Sequence, residues 1–244
     1  MLRFGKKYRP RYQPALGEKK KWVIVSYPKS GRTWLRQMLR ELDCNPVITH
    51  LKADDRFAIP YPQLPADLRR YRGWRVVLLV RHPLDTLVSG YHQAVQRFQV
   101  FDGTLEKFLY DPRFGLAKWI FWHHKILASQ LAPQSFIIVK YESLQESAPA
   151  GLQRLLDFWG VQVPEERLAQ AAEAHEFKKM QSRELEAKKV QISEVQGDAL
   201  IKVQNHLKSR RGKVGGFRDE MSPNVLENLR SVNYNMGMPF GYDW

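Results

Sequence analysis

Three short runs of β-branched and apolar residues interrupt an otherwise polar chain: Trp22–Ser26, Arg75–Val80 and Phe136–Lys140. Each is nearly all apolar, the pattern of a strand buried on both faces of a parallel sheet rather than the alternation of a half-exposed one. Behind each comes a stretch with helical spacing: Thr33–Leu42, Leu84–Phe98 and Pro149–Trp159. Strand, turn and helix in repetition predict βαβ units, hence an α/β fold with one central parallel sheet flanked by helices. Such sheets bind ligands at the carboxyl ends of their strands, which directs attention to the residues just after Ser26, Val80 and Lys140.

The remaining pattern sets the boundaries. Residues 1–21 are basic and lack the apolar core of a secretory signal, so they read as a tail, with 22–244 as one domain. Gln181–Ser209 is polar and weakly periodic and reads as a mobile excursion rather than a domain boundary. No apolar run approaches the length that spans a bilayer. The single cysteine, Cys44, excludes an internal disulfide, fits a reducing cytoplasmic compartment and reads as a small buried residue after a helix.

Composition adds a formal charge of +14, which favours anionic partners: nucleotides, nucleic acid, acidic glycans or an anionic membrane surface. Charge alone does not choose among them, so the choice falls to local sites.

Tyr27–Trp34 lies between the first strand and its helix. Backbone N–H groups at such a helix start form an anion site, Gly31 allows close approach, Lys29 adds a charge and Thr33 offers a hydroxyl. The plainer reading is a capped helix with a solvated lysine. Walker A is excluded, because its lysine follows the last glycine whereas Lys29 precedes Gly31. Arg81 ends the second run, His82-Pro83 breaks it, and Ser89 follows on the next helix. Arginine and hydroxyl can grip one phosphate; pairing of Arg81 with Asp85 is the plainer alternative. A third cluster, Arg210–Phe217, concentrates cations and glycines, as either a phosphate loop or a solvated basic face.

These three segments resemble, in order, the nucleotide motifs of the cytosolic and bacterial sulfotransferases. Tyr27–Trp34 is similar to the family's YPKSGTTW loop, departing at Arg32. Arg81–Tyr91 is similar to its 3′-phosphate motif, an arginine with a serine eight residues on, although His82 stands where an asparagine is usual. Arg210–Phe217 is similar to its RKGxxGDW element, with Arg211 for lysine, and Gly216 and Phe217 for Asp and Trp. The resemblance runs from about Trp22 to Phe217. It implies a P-loop-like fold and transfer of a sulfuryl group from 3′-phosphoadenosine-5′-phosphosulfate (PAPS), leaving 3′,5′-adenosine bisphosphate (PAP). It implies that Lys29, Ser30, Gly31, Arg32 and Thr33 hold the 5′-phosphosulfate, with Trp34 near the adenine. It further implies that Arg81, Ser89, Arg210, Arg211 and Gly212 hold the 3′-phosphate. Tyr141 and Phe177 match residues near the adenine; each is equally well read as an ordinary core aromatic.

The acceptor hydroxyl must lose a proton, which suits a histidine near neutral pH. The family carries one in a KTHLP-like context, and Val47-Ile-Thr-His-Leu51 makes His50 the candidate base, with Lys29 offsetting charge on the departing phosphate. Asp54 and Asp55 are alternative bases, while His123 and His124 lie in an aromatic helix and read as core or acceptor wall. The acceptor is expected to be a glycan, lipid-linked or small-molecule hydroxyl. The basic N-terminus is a candidate for peripheral membrane contact, and nothing sets the oligomeric state. No metal and no nucleic acid are expected. A P-loop kinase or NTPase would need a strand-end aspartate for Mg²⁺, and the strands end in Ser26, Val80–Arg81 and Lys140. A non-catalytic polyanion-binding module would need a diffuse basic face rather than cations gathered at strand ends.

Overall fold

A computed structural model describes residues 21–54, 58–176 and 212–243, together with single positions 179, 182 and 186. The basic tail up to residue 20 and nearly all of the polar segment 181–209 lie outside the described residues. In chain order the regular elements are β1 (Trp22–Ser26), α1 (Arg32–Glu41), β2 (Val47–Thr49), β3 (Arg75–Val80) and α2 (Pro83–His92). There follow α3 (Leu105–Tyr110), α4 (Leu116–Ala128), β4 (Ser135–Lys140), α5 (Tyr141–Glu146) and α6 (Ala148–Trp159). The last two are α7 (Glu165–Ala174) and α8 (Pro223–Met236).

The strands form one parallel sheet in the order β2-β1-β3-β4. Val23 sits beside both Val47 and Val76, and Val76 beside Phe136, so the three apolar runs are neighbours as their pattern predicts. The pattern does not predict β2, a run of only three residues that is too short for periodicity to reveal.

Both faces of the sheet are covered. Val23, Val25, Val76, Leu78 and Val80 point to one side, against Leu84 and Leu87 of α2, Trp119 and Trp122 of α4, and Leu229 of α8. Trp22, Ile24, Val77, Leu79 and Val139 point to the other, against Leu35 and Leu39 of α1, Leu152 and Leu156 of α6, and Leu168 of α7. The inner strands β1 and β3 are therefore buried throughout, save Arg75. β4 departs from the expectation of burial on both faces: as an edge strand it buries only Val139.

All four strands run the same way, so Ser26, Thr49, Val80 and Lys140 end on one edge. α2 begins with Pro83 in its first turn, where a missing N–H costs nothing, and runs on into a π-helical turn, Gln93–Phe98. Cys44 is buried and its N–H closes the end of α1 on the Leu39 carbonyl.

Candidate functional site

The carboxyl edge of the sheet gathers most of the residues the motifs single out. After β1 the chain turns through Lys29 and Gly31, both with left-handed backbone (φ 67° and 88°). That conformation is free for glycine but strained for lysine, and such strain concentrates where function requires it. Among the described residues no side chain caps the first turn of α1, and no acidic residue occupies that turn, so its N–H groups keep their affinity for an anion. Ser30 is wholly buried and its Oγ has no hydrogen-bond partner among the described residues; the same holds for Nε of Arg81. Buried polar atoms are normally paired, so each of these donors is left available to an anionic group. Thr33 is exposed, and Arg32 and Ser89 are half-buried.

Arg81 is where the loops meet. One guanidinium nitrogen donates to the Lys29 carbonyl at 3.3 Å, and another donates to the Lys213 carbonyl at 3.4 Å. The alternative pairing with Asp85 is long, 4.0 Å. Asp85 spends its carboxylate elsewhere, accepting from the N–H groups of Gly215 at 2.8 Å and Phe217 at 3.0 Å. It thereby anchors the glycine-rich segment to the start of α2. Asp85, Ser89 and Gln93 follow one another at four-residue spacing, so they share a helix face. Gln93 accepts from Nζ of Lys29 at 3.3 Å.

Tyr141, at the end of β4, lies beneath this junction. Its ring carries the Arg81 guanidinium at 4.5 Å, and its hydroxyl donates to the Gly212 carbonyl at 3.3 Å. Burial, more than any charge nearby, raises its pKa, so that hydroxyl stays protonated as a donor. A Cβ on Gly31 would come within 2.3 Å of the same ring. Trp34 meets Tyr141 edge-on, is buried, and donates its indole N–H to the His175 carbonyl at 2.7 Å.

His50 follows β2 directly. Its Nδ1 lies 2.6 Å from the Ser26 carbonyl at the end of β1. A carbonyl can only accept, so Nδ1 carries the proton and a neutral ring has its lone pair on Nε2. The tight turn after it is closed by the Thr49 hydroxyl, which accepts from Leu51, and by the His50 carbonyl, which accepts from Ala53. The other described histidines have partners of their own. His123 is fully buried against Trp119, and burial drives its pKa down to about 3. His124 reaches the Gly237 carbonyl at 2.7 Å, and His92 meets Glu220 at 2.6 Å. Asp54 is half-buried beyond the His50 turn.

The structure thus brings together Lys29, Ser30, Gly31, Arg81, Tyr141 and Gly212, and places His50 on the same edge. Phe177, Arg210, Arg211, Asp55 and His206 lie outside the described residues. Gln93 and Asp85 are the partners that sequence reasoning misses in these roles. For Asp85 the only sequence signal is an acid in a helix's first turn, a placement that the helix dipole favours in proteins of every function.

Among the described residues, no group of three or more His, Cys, Asp or Glu side chains is placed to hold a metal, and no helix is long and apolar enough to cross a membrane.

Comparison with known proteins points in the direction of the motifs. Cytosolic sulfotransferase 13 of Arabidopsis thaliana is 25% identical over 242 residues, covering 85% of this chain and 74% of its own. Flavonol 3-sulfotransferase of Flaveria bidentis is 23% identical over 248 residues, covering 84% and 78%. A mouse sulfotransferase solved with PAP superposes with a TM-score of 0.64 at 19% identity, covering 92% of this chain and 86% of that one. Retinol dehydratase, solved with androsterone and PAP, gives 0.63 at 16%, covering 91% and 82%. The model of the sulfotransferase domain matches residues 57–235, well over half the chain and including two of the three loops that converge on Arg81, so the chain belongs to the sulfotransferase family.

Proposed function

We propose that this sulfotransferase moves the sulfuryl group of PAPS to the hydroxyl of an acceptor, with His50 as general base. The observation that carries the reading is the convergence on Arg81: the backbone of the first phosphate loop and that of the glycine-rich segment are both tied to one buried guanidinium. Lys29, Ser30, Gly31, Arg32 and Thr33 would hold the 5′-phosphosulfate. Arg81, Ser89 and Gly212, with Arg210 and Arg211 from the same stretch of sequence, would hold the 3′-phosphate. Tyr141 supports Arg81 through its ring, and Trp34, with Phe177 by its match in sequence, would border the adenine.

In the transfer the acceptor oxygen bonds to sulfur as the bond from sulfur to the 5′-phosphate oxygen breaks. The hydroxyl proton passes to Nε2 of His50, and PAP departs with the electron pair. The bond from Nδ1 to the Ser26 carbonyl holds the ring in the tautomer that can accept that proton. Lys29 offsets charge on the departing phosphate, as a cation fixed where charge develops. The acceptor is a hydroxyl-bearing small molecule, glycan or lipid-linked compound.

The test is calorimetry with PAP and AMP, which differ by the 3′-phosphate. PAP is expected to bind more tightly. Losing a charged phosphate contact costs about 1.5–3 kcal/mol, so Arg81→Ala should weaken PAP at least about tenfold. Equal affinity for the two nucleotides in the unaltered chain would refute the 3′-phosphate assignment.

A further inference from the structure

Two positions at which the chain departs from the family's pattern, His82 and Phe217, lie face to face. Their rings stand 4.7 Å apart and 6° from parallel. Phe217 is buried, and its N–H is one of the two held by Asp85. The stretch from Lys213 to Phe217 is therefore held at three points: by Arg81 at the Lys213 carbonyl, by Asp85 at two N–H groups, and by His82 at the Phe217 ring.

His82 is fixed in turn by the end of the chain. Its N–H donates to one oxygen of Glu142 at 2.8 Å, and the other oxygen accepts from the Tyr242 hydroxyl at 2.9 Å. Its Nε2 lies 3.0 Å from the Asp243 carbonyl and so must donate there. The Tyr242 ring meets the imidazole edge-on at 5.3 Å. Lys140, the last residue of β4, donates to the Phe240 carbonyl at 2.9 Å and lies 4.8 Å over the Tyr242 ring. Residues 240–243 thus cross the ends of β3 and β4 on the edge that carries Arg81.

We infer that Tyr242, Glu142 and His82 are positioning residues for nucleotide binding: they brace Phe217 and through it the segment whose Lys213 carbonyl helps to orient Arg81. The inference rests on the nucleotide reading above. Its chemistry is consistent with the charge states of the groups. Burial first, and then the charge and hydrogen bond of Glu142, push the Tyr242 hydroxyl well above its usual range, so it remains a donor. Burial lowers the His82 pKa, which favours the neutral ring that can stack on Phe217 and donate through Nε2.

The experiment compares PAP and AMP affinity in the unaltered chain, in Tyr242→Phe and in a chain ending at residue 241, each with a thermal melt. Tyr242→Phe keeps the ring and removes only the hydroxyl. Remote members of such networks shift affinity by factors of about two to thirty. We expect PAP to weaken about fivefold, AMP to be unchanged, and the melting temperature to hold, with a larger PAP loss in the shortened chain. An unchanged preference for PAP in both variants overturns the inference while leaving the nucleotide reading intact. Parallel losses of PAP and AMP with a lowered melting temperature overturn it too, since they indicate general destabilisation. No preference for PAP in the unaltered chain overturns the nucleotide reading, and this inference with it.

Discussion

His50 shows how much can rest on one side chain. Its neighbour across the sheet, the Ser26 carbonyl, is the last acceptor of β1, and that contact decides which ring nitrogen can take a proton. General-base catalysis contributes roughly 10²–10⁴-fold. His50→Ala should therefore lower kcat by at least about a hundredfold in a steady-state assay, with PAP affinity nearly unchanged because the phosphates are held elsewhere. His50→Gln should not restore the rate, since an amide hydrogen-bonds but cannot accept the proton. Near-normal turnover in His50→Ala would remove the base from His50 and move attention to Asp54 and Asp55.

At the scale of the element, the loop between β1 and α1 works because Gly31 has no side chain. Its backbone is left-handed, and the Tyr141 ring occupies the space a Cβ would need. Tyr141 cannot easily yield, since its hydroxyl is held by Gly212 and Gln145 and its face by Arg81. Gly31→Ala should cost about 1–2 kcal/mol for the backbone conformation and about 1–3 kcal/mol for the collision. Urea unfolding would measure the sum, and PAP binding should fall with it as the loop shifts. A stable Gly31→Ala protein with intact PAP affinity would show that the loop and Tyr141 are not as closely coupled as their contact implies. The same close approach makes Tyr141 a support for the loops, a role that its position after a strand does not disclose.

At the scale of the whole molecule, buried histidine ties stability to pH. The His123 pKa falls from 6.5 to about 3, chiefly through burial, partly offset by its bond to the Trp119 carbonyl. Between those values the unfolded chain binds a proton that the folded chain does not. Stability is thus free of this penalty above about pH 6.5 and declines as the pH falls, by up to about 1.4 kcal/mol per pH unit, until the folded form also protonates near 3. His82, lowered in the same direction, adds to the slope. His123→Phe should flatten the decline in urea midpoint between pH 7 and pH 5; an identical decline would place the acid sensitivity elsewhere.

What sequence alone determined is what short-range physics controls. Three apolar runs with helical stretches behind them mark β1, β3 and β4 as neighbouring parallel strands: burial on two faces leaves a continuous apolar signature in β1 and β3, and β4 carries the same run although it lies at the edge. The glycine, lysine and arginine positions of the proposed phosphate loops are equally legible, since turn chemistry and charge are carried by neighbouring residues. β2 is not, because three residues hold no period, and neither is the exposure of β4, because position within a sheet is a property of topology. Only the tertiary structure decided that Asp85 would hold Gly215 and Phe217, that Gln93 would receive Lys29, and that Tyr242 would reach Glu142. Those contacts join residues 130, 132, 64 and 100 positions apart, and no local propensity encodes them. They exist because a parallel sheet turns every strand end to one edge, where a carboxylate finds whichever N–H groups the packing of distant helices brings to it.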